Sequence, residues 1–229
     1  MHALVTGANR GIGLEFVRQL LDRGDHVVAA VRDPGAAVAL DGLAAAHPGR
    51  LHVLGLDMAA PADFPAFARR AAQALGSIDL LVNNAGILQP GERFGALAAG
   101  ALEASFRVNA MGPLLLTEAL APSLAPGGCV INMSSRLGSL HLRDGFSTPS
   151  YAMSKAALNM ASVLLAHALR DRGIRVLPVS PGWVRTDMGG ENAAVDPRDA
   201  VTGLLRLAAE AGIDESGRFR DWTGASIDW

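Results

Sequence analysis

Lysine and tyrosine are all but absent from this chain of 229 residues. Lys155 is the one lysine among 20 Lys+Arg, and Tyr151 is the one tyrosine. Cysteine is as scarce: with Cys129 alone, an internal disulfide framework is excluded and a reducing compartment fits. No uninterrupted apolar run reaches the roughly 18 residues that a membrane span needs. The opening MHALVTGANR lacks the charged region and apolar stretch of a secretory leader. A net charge of -2 leaves no basic stripe for nucleic acid or an anionic membrane. These absences point to a cytoplasmic protein whose partner is a small molecule.

What is present alternates. Half of the residues are hydrophobic, enough at this length for one large α/β domain. The short runs HALVT, HVVAAV, LHVLGL, IDLLVN, CVINMS and IRVLPVS are apolar throughout, as strands of a parallel sheet buried on both faces are. Between them, residues 12–22, 64–75, 102–124 and 151–172 carry helical spacing and give the crossovers that parallel strands require. An Ala-rich stretch at 33–46 reads as a further helix. From about Ala200 one more helix is expected, and then an irregular segment ending GRFRDWTGASIDW. Six strands separated by helices make a doubly wound, Rossmann-type sheet with its ligand crevice at the carboxyl ends of the strands. No repeat or linker interrupts it, so residues 1–229 are read as a single domain.

The first strand runs into TGANRGIG, residues 6–13. Gly7, Gly11 and Gly13 stand where a chain must turn tightly and let a pyrophosphate approach a helix N-terminus. Arg32 follows the second strand run, near the place where an acidic residue would bond the ribose 2′-hydroxyl of NAD. A guanidinium there suits the 2′-phosphate of NADP instead, and Arg10 inside the turn could reach the same group. NADP(H) is therefore the expected cofactor, with NAD(H) possible.

Tyr151 and Lys155 lie four apart in YAMSK and share one helix face. A phenol with its ordinary pKa of about 10 is a poor acid–base group near neutrality. A neighbouring ammonium favours the phenolate, so Lys155 is expected to lower that pKa. A compact ammonium can also bond ribose hydroxyls, a task for which arginine is less suited. A chain that uses arginine almost everywhere else keeps its lysine where the chemistry needs one.

Five ordered motifs carry a family resemblance: TGANRGIG, NNAG at 83–86, INMSS at 131–135, YAMSK at 151–155 and SPGWVRTDM at 180–188. Together they resemble the short-chain dehydrogenase/reductases over nearly the whole chain. The resemblance implies that Tyr151 is the general acid–base group, Lys155 its modulator and a ligand of the nicotinamide ribose, and Ser135 the substrate-orienting hydroxyl. It implies that Asn109, in RVNAMGP, holds a water in a proton relay from Lys155. It places Gly7, Asn9, Arg10, Gly11, Ile12, Gly13 and Arg32 against the cofactor, with Asp57 and Met58 at the adenine. Asn83, Ala85 and Gly86 would line the adenine–ribose side and brace the fourth strand, and Pro181, Gly182, Val184 and Thr186 would grip the carboxamide. The activity implied is NADPH-dependent reduction of a ketone, aldehyde or quinone to the alcohol.

Asparagine is disfavoured inside a helix, so Asn109 marks either a functional position or a bend. Ser135 and Tyr151 are 16 residues apart where the family has about a dozen, so the segment RLGSLHLRDGFSTPS is expected to enlarge the wall over the substrate. His141, Arg143 and Phe146 either face that pocket or face solvent. The motifs are most similar to the branch holding the C-factor signalling protein and the sniffer-type carbonyl reductases, which leaves a cofactor-binding signalling role as the alternative. Family members commonly pair through their two long helices, here 102–124 and 151–172, which leaves a homodimer or homotetramer through them open beside a monomer. Leu158, Val163, Leu165 and Leu169 would serve its core or its interface.

Overall fold

The computed structural model describes residues 1–229. Seven strands form one wholly parallel sheet: β1 His2–Thr6, β2 His26–Val31, β3 Leu51–Gly55, β4 Ile78–Asn83, β5 Leu124–Met133, β6 Arg175–Ser180 and β7 Arg220–Asp221. Their order across the sheet is β3-β2-β1-β4-β5-β6-β7. The helices are α1 Gly11–Asp22, α2 Val38–Ala46, α3 Phe64–Leu75, α4 Ala99–Phe106, α5 Gly112–Leu120, α6 Pro149–Ala168 and α7 Pro197–Glu210.

The apolar runs are strands because both of their faces are covered. Alternate side chains of β1 serve two cores: Ala3 and Val5 pack with Phe16, Val17 and Leu20 of α1 and with Leu204 of α7. Leu4, on the other face, packs with Phe64 and Phe67 of α3 and Leu120 of α5. β1 is thus held from both sides by burial worth roughly 1.5–3 kcal/mol per large side chain. No helix is long and apolar enough to cross a membrane.

Two expectations are corrected, and one left open between core and interface falls to the core. A seventh strand sits in the segment read as irregular; its two residues, Arg220 and Asp221, are polar and too short to show a period. The helix expected over 102–124 is two helices joined by one wide π turn, Arg107–Met111, with Asn109 at its centre, so the bend is real. The expected apolar face of α6 is mostly core: Leu158, Leu165 and Leu169 are buried. The large apolar side chains that α6 leaves exposed are Met153, Met160 and Leu164.

Candidate active site

Strand order reverses between β1 and β4, and this switch point is where a doubly wound sheet opens its ligand crevice. The glycine turn leaves β1 there. Gly7 has φ of +63°, and a Cβ on it would stand 2.9 Å from the Cα of Ala85. At Gly13 a Cβ would stand 2.2 Å from the Gly7 carbonyl oxygen and 2.5 Å from Nδ2 of Asn84. The turn therefore fits only without side chains at these positions, and its backbone is left bare at the start of α1. Asn84 holds it in place: Nδ2 donates to the carbonyls of Thr6 and Gly7 at 2.9 and 3.2 Å. The Thr6 hydroxyl accepts from the backbone of Asn84 and Ala85, both at 3.0 Å. Asn84 was not among the expected site residues, although the doubled asparagine of NNAG marked it.

Its neighbour Asn83 turns the other way. It is buried within the sheet and donates to Thr117 at 3.0 Å and Asn132 at 2.8 Å. Its side chain braces β4 against β5 and α5 and does not line the crevice. Ala85 and Gly86 stay half-buried on the crevice side.

The residues expected to do acid–base work gather around the start of α6. Lys155 is buried, its Nζ donates to the Met133 carbonyl at 2.6 Å, and it stands 5.4 Å from the centre of the Tyr151 ring. A Cβ on Gly86 would lie 3.6 Å from that Nζ and 3.3 Å from Oδ1 of Asn109, so the three groups share one small space. Asn109 is wholly buried: Nδ2 donates to the Ile87 carbonyl at 2.9 Å and to Oγ of Ser154 at 3.0 Å, and Oδ1 accepts from Ile87 N–H at 2.8 Å. Both amide donors are used, which leaves a second lone pair of Oδ1 and the backbone carbonyl for any water. Ser135 stands two residues beyond β5, accepts from Leu137 N–H at 3.2 Å, and its hydroxyl is near enough to the Tyr151 phenol to favour the phenolate. Ser134 behind it donates to Asn159 at 2.6 Å, which ties the serine turn to α6.

Burial governs the charges. It pushes the Tyr151 phenol up to about 12, and the hydrogen bond from Ser135 opposes this only in part. It pulls Lys155 down to about 8. In the free protein burial of the ring therefore sets the direction of the Tyr151 shift, upward, with Ser135 opposing it.

The remaining expected residues are more scattered. Arg32 is exposed at the end of β2 and pairs with no carboxylate. Asn9 and Arg10 are exposed on the turn, half-buried Ile12 packs against the core under α1, and Arg10 forms an open ion pair with Asp187 at 3.1 Å. Asp57 accepts from Ala59 N–H at 2.9 Å and so closes its own turn, while Met58 is buried with its methyl beside Gly112. Pro181 and Gly182 leave β6 half-buried, with the Trp222 indole behind Gly182. Val184 is buried, its carbonyl accepting from the Thr186 hydroxyl at 3.4 Å, and Thr186 brings its methyl over Gly11. Of the long segment after Ser135, His141 is exposed beside Asp228 and Arg143 folds back on Gly145 and Ser147. Phe146 instead meets Phe94 edge to face at 5.6 Å, in front of α6.

A doubly wound sheet with a bare glycine turn at its switch point and a buried lysine beside a lone tyrosine defines a nucleotide-dependent oxidoreductase. A family model described as short chain dehydrogenase matches residues 1–196, and the chain belongs to that family. The C-signal protein of Myxococcus xanthus is 38% identical over 156 residues, 67% of this chain and 94% of that protein. The NADPH-bound carbonyl reductase from chicken fatty liver superposes with a TM-score of 0.94 at 35% identity, covering 100% of this chain and 98% of that one. The carbonyl reductase Sniffer of D. melanogaster does so with 0.94 at 28% identity, covering 100% and 99%.

Proposed function

We propose that this protein reduces a carbonyl group of a ketone, aldehyde or quinone to the alcohol with NADPH, and oxidises the CH–OH group with NADP in reverse. The observation that carries the reading is the pair of Tyr151 and buried Lys155 beside Ser135, at the carboxyl ends of the strands and next to the glycine turn. The residues fit a dinucleotide phosphate: Gly7 and Gly13 leave a cradle that a Cβ would fill, and Arg32 offers a free guanidinium beyond it. The NADPH carried by the chicken-liver carbonyl reductase supports the same choice.

When bound, the reduced nicotinamide supplies the hydride that a carbonyl carbon accepts. Tyr151, protonated because burial holds it near 12, donates its proton to the carbonyl oxygen, and the Ser135 hydroxyl steadies the same oxygen. Burial raises the phenol and lowers the Lys155 ammonium, so a proton passing from Lys155 to the phenolate left behind moves in the direction that burial favours. Asn109, packed against Ser154 and Gly86, positions a water that resupplies Lys155. Phe94, Phe146 and Trp183 are all more than half exposed around this place, which favours substrates with an apolar body.

The test is NADPH oxidation across a panel of carbonyl compounds, with Tyr151→Phe as the comparison. Proton transfer contributes roughly 10²–10⁴-fold, so Tyr151→Phe should lose turnover by that factor while NADPH affinity stays within a few-fold. Turnover kept by the phenylalanine variant would sink the assignment. The likeness to C-signal favours one second reading, a nucleotide-binding signalling protein. Tight NADPH binding with no carbonyl-dependent oxidation would favour it.

A further inference from the structure

The helix that carries Tyr151 begins without a cap of its own. Thr148, before its first residue, sits in the left-handed region with φ of 43°, and its hydroxyl bonds nothing in the helix. Pro149 has no N–H, and the N–H of Ala152 goes back to the Thr148 carbonyl at 2.9 Å. The N–H groups left over are those of Ser150 and Tyr151, and a helix start buried without partners for such groups is costly. The partner comes from elsewhere: Glu92, in the segment between β4 and α4, accepts from Ser150 N–H at 3.2 Å and from Ser150 Oγ at 2.7 Å, both on Oε2. Ser105 of α4 donates to the same Ser150 hydroxyl at 3.2 Å, and both serines are fully buried.

The second oxygen of Glu92, Oε1, is buried and unpaired. A buried carboxylate oxygen left without a partner is expensive, and proteins keep such features mainly where function requires them. Two residues along the same segment stands Phe94, whose ring meets Phe146 of the loop that enters α6. One short segment therefore touches both the wall of the substrate site and the residue before Tyr151.

We propose that Glu92 is a positioning residue for the reduction: its carboxylate caps α6 in place of a local side chain, and so fixes the turn that carries Tyr151 and links it to the Phe94–Phe146 wall. The role in turnover rests on the carbonyl-reductase reading; the capping does not, and the two can be tested apart. Because Tyr151 is the only tyrosine, a ¹³C-labelled tyrosine ring gives one resonance that reports this residue alone.

In Glu92→Ala that line should broaden or split. At saturating substrate kcat should fall about tenfold or more, since misplacing an acid–base group by about 1 Å costs up to about 100-fold. NADPH affinity should stay within about twofold, as Glu92 is remote from the glycine turn. Glu92→Gln keeps an acceptor for Ser150 and should restore one narrow line and bring kcat to within about threefold of wild type. If the alanine variant does not fold, Glu92→Asp, which withdraws the carboxylate by one methylene, takes its place with the same expectation. An unchanged line and unchanged kcat in the alanine variant overturn the proposal, as does a glutamine variant no better than alanine. A wild type without carbonyl turnover whose Tyr151 line still splits in Glu92→Ala removes the reductase reading and leaves the cap standing.

Discussion

Arg10 and Arg32 are the two arginines proposed to read one phosphate, and their surroundings differ. Arg32 is exposed with no ion-pair partner, whereas Arg10 must leave Asp187 before it can turn to a 2′-phosphate. Charge-assisted hydrogen bonds contribute roughly 1.5–3 kcal/mol, so Arg32→Ala should weaken NADPH about ten- to hundredfold and leave NADH within about threefold. Arg10→Ala should do less, because an open ion pair worth at most about 1 kcal/mol is given up when the phosphate binds. Titration of both variants with both nucleotides checks this, and equal losses for NADH would mean that Arg32 acts on something other than the 2′-phosphate. At this scale the sequence is legible where composition singles a residue out. Tyr151 and Lys155 stand alone in their types, and the structure brings them together. Glu92 is one of many acids, and its partner Ser150 lies 58 residues away, so no local pattern could mark it.

Among the elements, the turn from β1 to α1 has no room for side chains at Gly7 and Gly13. A methyl on Gly13 would meet a backbone carbonyl at 2.2 Å and the tethered amide of Asn84 at 2.5 Å, and neither can yield without moving β4. Gly13→Ala should cost stability at the upper end of the roughly 1–3 kcal/mol typical of overpacking, and should abolish NADPH binding because the turn must open to accept the methyl. Thermal unfolding and a nucleotide titration on the same sample decide it; a variant that binds NADPH like wild type would show that the cradle is not the phosphate site. The strands and the first helix could be read in advance because burial on both faces leaves unbroken apolar runs and a glycine turn leaves a motif. The π turn at Asn109 was visible only as a misfit, since the cause lies in the bonds from its amide to Ile87 and Ser154. Strand β7 left no trace, because an edge strand of two polar residues is specified by its neighbour β6 and not by its own pattern.

For the molecule as a whole, the scarcity of lysine, tyrosine and cysteine makes alkaline stability readable. Burial moves Lys155 from its ordinary 10.5 to about 8, Cys129 from 9.0 to about 12, and Tyr151 from 10.0 to about 12. Stability rises with pH wherever the unfolded chain binds more protons, by about 1.4 kcal/mol per pH unit for each proton. Between about pH 8 and 9 only Lys155 differs: the unfolded chain keeps its proton and the folded one has lost it, so stability rises. From about 9 to 10 the folded protein holds the Cys129 proton that the unfolded chain releases, and the two effects cancel. Above about 10 Tyr151 adds to Cys129, and stability falls. Urea midpoints of the cofactor-free protein should therefore climb to about pH 9, level off, and decline beyond about pH 10. Lys155→Met should lose the climb, and Cys129→Ala should extend it by about one pH unit. A wild-type profile flat from pH 8 to 9 would mean that the Lys155 ammonium is hydrated after all, and the direction of proton transfer to Tyr151 that burial favours would lose its basis.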